Sequence, residues 1–456
     1  MHVLLVKTPA CYTDGTPVSV HNYGPPMGLL TMQKYLRNRG HDATIRIMDT
    51  FDEVSSFGPY DIVGITSMTA TRDSCYHVSN LVKERFPDKT VLMGGPHCNG
   101  FSEAILNHYP SIDGVVEGEG EGVLHRIVRG DDWADIPGLA SRGADGKVRF
   151  TRGHSCIDIE EVVEVDFDAA DTLGRFINTN TEAPSNRGGD TYFNRENRFL
   201  NIVDGRGCRG TCIFCGTPRT WGTNVRQVRP LVLVDMLERL GKKYEVNSFF
   251  FSNDNFVDST AWIETFCGEI LRRKMDISWW CLGRVDLDYP EFLRLMAQAG
   301  CYKIKYGVES GSGRILDSLG KRINFDQIIN TVEATRKVGM ETACGFMVGF
   351  PGETVEDMDE TIRFANSLRL NSFSYTATML FPGTAIFRRA LKEGKITERD
   401  FLVETRDAKA ARRARSIVCR ETQPIYVPDG FEHDPFLDLC DANFHRIEST
   451  PFQNEM

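Results

Sequence analysis

Three cysteines fall in one short run, Gly207-Cys208-Arg209-Gly210-Thr211-Cys212-Ile213-Phe214-Cys215, with the spacing C-x3-C-x2-C. Three thiolates this close, on a loop freed by glycine, can hold three corners of an iron–sulfur cubane and leave its fourth iron open. A structural zinc site asks for four ligands, and no fourth Cys or His follows at finger spacing. Zinc and chance clustering stay as the alternatives. Further reactive side chains stand in or at the ends of apolar runs. Asn253 and Asp254 close Ser248–Ser252, and Arg284 follows a run ending at Cys281. Lys303, Lys305, Gly307 and Glu309 share one face of an extended segment, because side chains alternate along a strand. Lys305, Asp254 and Glu309 are the acid–base candidates, in no order. Each has a plainer reading: a turn former, an ion pair, or a lysine reaching solvent from a strand mouth.

The elements that must position these residues read as two successive α/β alternations. In the first, Val3–Val6, Ala43–Met48, Ile62–Thr66, Thr90–Met93 and Gly114–Val116 are strands; Met27–Arg39, Ser74–Arg85 and Phe101–Leu106 are helices. Such alternation gives a parallel sheet with helices on both faces, and ligands at the carboxyl edge. Residues 128–198 lack periodicity and read as linker or wrapping segment. In the second, strands Phe199–Val203, Ser248–Ser252, Ile277–Cys281, Lys303–Val308, Thr342–Val348 and Ser374–Met379 alternate with six helices, as in a partial (β/α)6 TIM-like barrel. The expected domains are 1–127 Rossmann-like, 128–198 linker, 199–390 barrel and 391–456 C-terminal extension. Within the extension, the basic run Thr405–Arg420 reads as a solvated face or a dock for an acidic electron carrier.

Lys and Arg total 53 against 63 Asp and Glu, a net charge of −10, so a generic nucleic-acid binder is excluded. No apolar run approaches the roughly 18 residues that span a bilayer, and the first residues do not read as a signal peptide. A cytoplasmic chain with no membrane partner is expected. Its 13 cysteines are then metal ligands or buried thiols rather than a disulfide framework.

The cysteine triplet, with Phe214 before its last member, resembles the radical S-adenosylmethionine (SAM) superfamily. The likeness continues in order through Phe249–Phe256, Gly283–Asp286, Ala299–Gly311, Gly345–Thr354 and Phe381–Thr384. The first alternation, with Pro26-Met27-Gly28-Leu29 and Met93-Gly94-Gly95-Pro96-His97, is similar to the cobalamin-binding domain that precedes this core in one subfamily. The resemblance implies a [4Fe–4S] cluster on Cys208, Cys212 and Cys215. It implies SAM held near Phe214, Ser252, Asn253, Arg284, Glu309, Ser310, Val348 and Gly349, and a 5′-deoxyadenosyl radical that takes hydrogen from substrate. Cys344 is a candidate hydrogen-atom donor to a product radical, against the commoner buried thiol. Cobalamin is left open: no Asp-x-His-x-x-Gly follows the first strand, His21 lies further on, and Arg72 stands in a loop where it could approach a corrin.

The chain's size and layout resemble radical SAM diol dehydratases of aminoglycoside (apramycin) biosynthesis. The expected reaction is radical dehydration of a paromamine-like amino sugar to a deoxy ketone, a lyase step in antibiotic biosynthesis. The alternatives are cobalamin-dependent methyl transfer and epimerisation. The implied partners are a small-molecule substrate, an electron donor such as flavodoxin or ferredoxin, and a downstream reductase. A cluster-based sensor is the non-enzymatic alternative, but it lacks an output module.

Overall fold

Unbroken apolar runs such as Val3-Leu4-Leu5-Val6 suit strands covered on both faces, where no polar alternation is needed. A computed structural model describes residues 1–13, 16–18, 25–153, 155–169, 199–286, 291–402 and 425–448. The chain divides into two compact units. One comprises Met1–Leu173, Ile213–Gly222 and Met379–Ile425; the other comprises Gly174–Cys212, Thr223–Thr378 and Tyr426–Met456.

In the first unit, strands β1 (Val3–Lys7), β2 (Ala43–Ile47), β3 (Ile62–Thr66), β4 (Thr90–Gly94) and β5 (Gly114–Val116) form a parallel sheet in the order β2-β1-β3-β4-β5. Leu4, Val6 and Val63 are fully buried at its centre. Helices α1 (Met27–Arg37), α2 (Arg72–Arg85) and α3 (Ser102–His108) and the 3-10 segment Phe51–Phe57 make the crossovers, and α4 (Gly120–Arg129) leads out of β5. The order reverses at β1/β3, which defines the switch point of the carboxyl edge. Two antiparallel strands, β6 (Leu139–Arg142) and β7 (Val148–Phe150), extend the sheet within the segment expected as linker. Three- and four-residue strands are too short to carry a periodic signal.

In the second unit, β8 (Leu200–Ile202), β9 (Ser248–Phe251), β10 (Ser278–Gly283), β11 (Cys301–Glu309), β12 (Glu341–Val348) and β13 (Ser372–Ala377) are all parallel and neighbour one another in chain order. Helices α5 (Pro230–Tyr244), α6 (Thr260–Arg273), α7 (Glu291–Gln298), α8 (Gly313–Ser318), α9 (Phe325–Lys337) and α10 (Val355–Ser367) follow the first five strands. This is the partial barrel expected. Helix starts have local causes: Asn324 and Thr354 side chains accept the amides of Gln327 and Asp357 in capping boxes.

Strand parity sorts the core into two layers. Phe251 and Trp279 pack with Phe266 of α6. On the opposite face, Phe250 stacks on Trp280 at 3.8 Å. The segment expected as one C-terminal extension serves both units. Helix α11 (Ala385–Lys392) and the turn Glu398–Phe401 count with the first, while α12 (His433–Phe444) packs on β13 in the second. No helix among the described residues is long and apolar enough to cross a membrane. The basic run Thr405–Arg420 and His21 lie outside the described residues.

Candidate active site

The cysteine loop leaves the first barrel strand by way of Asp204-Gly205-Arg206. A Cβ placed on Gly210 would sit 3.3 Å from Cys208 Sγ, 3.7 Å from Cys212 Sγ and 2.9 Å from Arg284 Nη1. Gly210 is therefore the point where two sulfurs and a guanidinium converge, with no room for a side chain. Its N–H donates to Cys208 Sγ at 3.4 Å, and the Thr217 N–H donates to Cys215 Sγ at 3.4 Å. Amides aimed at sulfur favour thiolate. Cys215 and the half-buried Phe214 stand on the short segment Ile213–Gly222.

Two cations face the first two sulfurs. Arg284 is fixed by Asp286, at 2.8 and 2.9 Å, and donates to the Lys321 carbonyl at 2.8 Å. The Lys321 ammonium donates to Glu309. Burial raises the Cys212 thiol, while Lys321 and Arg284 pull it the other way. Glu309 has a positive φ of 75°, uncommon for a residue with a side chain. A register shift on β11 accompanies it, and the carboxylate folds back beside Gly307. Lys321 was not among the sequence candidates. Its turn is tied to the cysteine loop by Thr211, whose hydroxyl donates to the Gly320 carbonyl at 3.1 Å, a contact across 109 residues that no local pattern encodes.

Asp204, also missed, is fully buried below the loop. Burial pushes its carboxyl up to about 7, against donors from Asn253 and Gln227 at 3.3 and 3.4 Å. Asn253 is thereby turned to Asp204, and its carbonyl oxygen accepts the Asn255 amide. Ser252 donates to the Ile202 carbonyl at 3.3 Å, and Asp254 is exposed beyond it. Ser310 is fully buried and spends its hydroxyl on Thr361 and the Ser312 amide.

Val348 is buried, and its carbonyl accepts the amide and hydroxyl of Thr378. Gly349 has φ +90°, and a Cβ there would meet Phe436 at 2.7 Å and the Tyr426 carbonyl at 2.8 Å. Packing of α12 against the backbone thus accounts for this glycine.

One role needs correction. Lys305 pairs in register with Ala343, and Tyr306 with Cys344. Tyr306 bonds Thr335 on α9 at 2.8 Å. Cys344 therefore lies on the helix side of the sheet, fully buried, and cannot pass hydrogen to a radical in the lumen. Cys281 and Cys301 share that buried layer near Tyr306. The described cysteines are all free of disulfides.

At the carboxyl edge of the first sheet, the β3 and β4 ends are bonded together: Ser67 N–H to the Gly94 carbonyl at 2.7 Å, and His97 N–H to the Ser67 carbonyl at 3.2 Å. Beside them, Arg72 is buried and donates to the Thr69 and Asp400 carbonyls at 2.7 and 3.3 Å, with its guanidinium 5.9 Å over the Phe401 ring. Tyr76 donates to the Phe401 carbonyl at 3.1 Å, and Tyr109 to that of Leu402. His97 is fully buried with both ring nitrogens engaged, by Tyr76 at 2.8 Å and Thr69 at 3.3 Å. Burial and Arg72 hold its imidazole well below the ordinary range.

A partial parallel barrel with a three-cysteine loop after its first strand, in a chain that begins with a switch-point sheet, defines a class of cluster protein. Family models agree: the Radical SAM superfamily model matches residues 202–365, and the B12 binding domain model matches residues 16–128. The first of these models falls on the second alternation and the other on the first. An uncharacterized methyltransferase of Pyrococcus horikoshii is 29% identical over 86% of this chain and 83% of its own. The cytidylyl-2-hydroxyethylphosphonate methyltransferase of Streptomyces wedmorensis is 25% identical over 78% of this chain and 71% of its own. Among solved structures, the radical SAM methyltransferase TsrM of Kitasatospora setae, with cobalamin and a [4Fe–4S] cluster bound, superposes with a TM-score of 0.68. It is 19% identical, covering 86% of this chain and 78% of that one, and shares the fold.

The residues fit the cluster and SAM. Cys208 and Cys212 present sulfurs around an open glycine, with two cations to balance an anionic cluster and a carboxylate ligand. Thiolates of a cubane each serve a separate iron. At the edge of the first sheet, Phe401 packs against His97, Phe101 and Phe387. His97 engages both ring nitrogens within the chain and has none to give to cobalt, and much of the loop after β1 at the switch point lies outside the described residues.

Proposed function

We propose that this enzyme modifies a small molecule inside the barrel, with methyl transfer as the outcome. Both curated relatives are named methyltransferases, and neither is named a dehydratase, so the amino-sugar dehydration expected from the sequence finds no support in them. The observation that carries the site assignment is the convergence of Cys208, Cys212 and Arg284 on Gly210. When bound, the cluster and SAM supply a 5′-deoxyadenosyl radical that removes hydrogen from the substrate. The chain's own part is placement and exclusion of water. Arg284, locked by Asp286, offers a guanidinium edge that suits the carboxylate of an amino acid chelating the open iron. Lys321 neutralises Glu309 and adds positive potential beside the sulfurs. The Phe250–Trp280 stack walls the lumen with apolar surface.

One observation favours a second outcome, a radical dehydration or epimerisation that needs no corrin: both ring nitrogens of His97 at the edge of the first sheet are engaged within the chain. A single experiment separates the two. Anaerobically reconstituted protein, expressed with hydroxocobalamin, is given SAM labelled as CD3 and dithionite, and cobalt, 5′-deoxyadenosine and labelled product are measured. Stoichiometric cobalt and a CD3-bearing product support methyl transfer. Cobalt-free protein that forms 5′-deoxyadenosine and unlabelled product supports the second outcome and ends the first.

A further inference from the structure

The cysteine loop leaves β8 by way of Asp204 and returns to the barrel at Val228. Its two ends meet as a short antiparallel ribbon, with Gly205 opposite Gln227 and Arg206 opposite Arg226. Asp204 stands at the root of that ribbon and bonds the returning chain twice. Its carbonyl accepts the Val228 amide at 2.8 Å, and its carboxyl oxygen Oδ2 accepts Gln227 Nε2 at 3.4 Å. The same oxygen accepts Asn253 Nδ2 at 3.3 Å, from the segment after β9. Gln227 also donates to the Phe256 carbonyl at 3.1 Å, and the Phe256 amide donates to the Leu282 carbonyl of β10 at 3.0 Å. These bonds tie the ends of β8, β9 and β10 to the base of the loop. A Cβ on Gly205 would collide with the Asn253 side-chain amide, so the chain is packed closely at this root.

The other carboxyl oxygen, Oδ1, is buried with no hydrogen-bond partner, and the whole residue is buried. Among the described residues no cation pairs with Asp204; its two side-chain donors are the neutral amides of Asn253 and Gln227. Arg209 is taken by Asp258 at 2.9 Å, and Arg206 and Arg226 stand opposite each other in the ribbon. The titratable neighbour is Cys281 of β10, with Cys267 and Cys301 behind it, and burial raises the Cys281 thiol well above its ordinary range. An ionised carboxylate here has no counter-charge and an incomplete set of donors, which makes its burial costly. The acid form fits: Oδ2 is then the carbonyl oxygen that takes both amides, and Oδ1 carries the proton.

We propose that Asp204 is a positioning residue of the cluster site, an uncharged clamp that fastens both ends of the cysteine loop and fixes Asn253 at its root. It acts on Cys208 and Cys212 only through the loop. Ionisation puts an uncompensated charge at the root, and the ribbon parts to let water reach it. Burial pushes the Asp204 carboxyl up to about 7, so the cluster is held more tightly below that pH than above it. Thiolate ligands alone would give the opposite trend, because they bind metal better as pH rises. The inference rests on the three cysteines being the cluster site.

The test is iron release from anaerobically reconstituted full-length protein to bathophenanthroline disulfonate, followed at about pH 6 and about pH 8. Wild type should release iron about tenfold faster at the higher pH, the ratio of ionised fractions on either side of a titration near 7. Asp204→Asn keeps the acceptor and cannot ionise, so it should hold iron equally at both. Asp204→Leu removes the acceptor and should release iron quickly at both. Gln227→Leu should speed release at the lower pH, and adding it to Asp204→Leu should change little, since both break the same bond. Glu353→Gln removes the barrel's other carboxyl raised by burial and should leave the pH dependence of release in place, which separates the clamp from a general loss of stability. Circular dichroism of each apoprotein reports folding; if Asp204→Leu does not fold, Asp204→Asn and Gln227→Leu carry the test. Wild-type release that ignores pH, or a pH dependence in Asp204→Asn equal to that of wild type, would overturn the clamp while the cluster assignment stands. Wild type that takes up no iron would remove the assignment and the clamp together.

Discussion

At the scale of single residues, Gly210 and Lys321 carry the sharpest expectations. Gly210→Ala removes no ligand, yet its Cβ would press on Cys208 Sγ and the Arg284 guanidinium. Iron per chain after reconstitution should fall well below that of wild type, while a surface Gly394→Ala control keeps its iron. Full iron loading in Gly210→Ala would mean that the loop does not close around this glycine. Lys321→Met leaves Glu309 buried without its partner, a loss that typically costs ~3–5 kcal/mol. The melting temperature and iron retention should both drop, and adding Glu309→Gln should recover part of the loss. The cysteines were readable because their spacing is local. Lys321 was not, since a turn brings it to the sulfurs from over a hundred residues away. Cys344 was misplaced for a related reason: parity along one strand is visible in sequence, but which parity faces inward depends on its register with Lys305 and Tyr306.

At the scale of elements, two buried carboxyls tie the barrel's stability to pH. Burial pushes Asp204 and Glu353 up to about 7 from ordinary values near 4. Glu353 accepts the Gly349 and Phe350 amides at the end of β12, which offsets only part of its burial. Between about pH 4 and 7 the folded state holds more protons at these sites than the unfolded state. Stability from this source therefore falls as pH rises through that window, and the loss is complete above it. Thermal melting of the wild type should be lower at pH 8 than at pH 6, and Glu353→Gln should flatten the difference; an unchanged slope in that variant would contradict the assignment. In the first unit, Phe401 is fully buried against Phe387 and Phe101. Phe401→Ala should cost ~3 kcal/mol or more, read as a lower urea midpoint; a midpoint unchanged from wild type would mean the turn is not held there. Apart from helix α4, the parallel strands of both alternations and the helices between them were legible from apolar runs and helical spacing. The short strands β6 and β7, and the turn that carries Phe401, were not. Segments of three or four residues have no period, and their place is decided by what they cover.

At the scale of the whole molecule, the net charge of −10 excludes a generic nucleic-acid binder. On the lumen face Lys303 stands in register with Glu341, so basic and acidic groups both turn inward. Overall charge describes the surface and its solubility, whereas specificity follows the few side chains that register turns inward. The B12-type sheet is similarly a matter of fold without a demonstrated ligand: beside its edge Phe401 packs on a doubly bonded His97. What joins the levels is the cysteine loop. Its chemistry was visible in the spacing, its geometry depends on Gly210, and its electrostatics depend on Arg284 and Lys321. The most direct test is 5′-deoxyadenosine formed from SAM by anaerobic protein reconstituted to about four irons per chain and reduced with dithionite. The nucleoside should accumulate with wild type and vanish in Cys208→Ala, Cys212→Ala and Cys215→Ala. Fully loaded wild type that makes none above the cluster-free control, with substrate candidates present, would contradict the account.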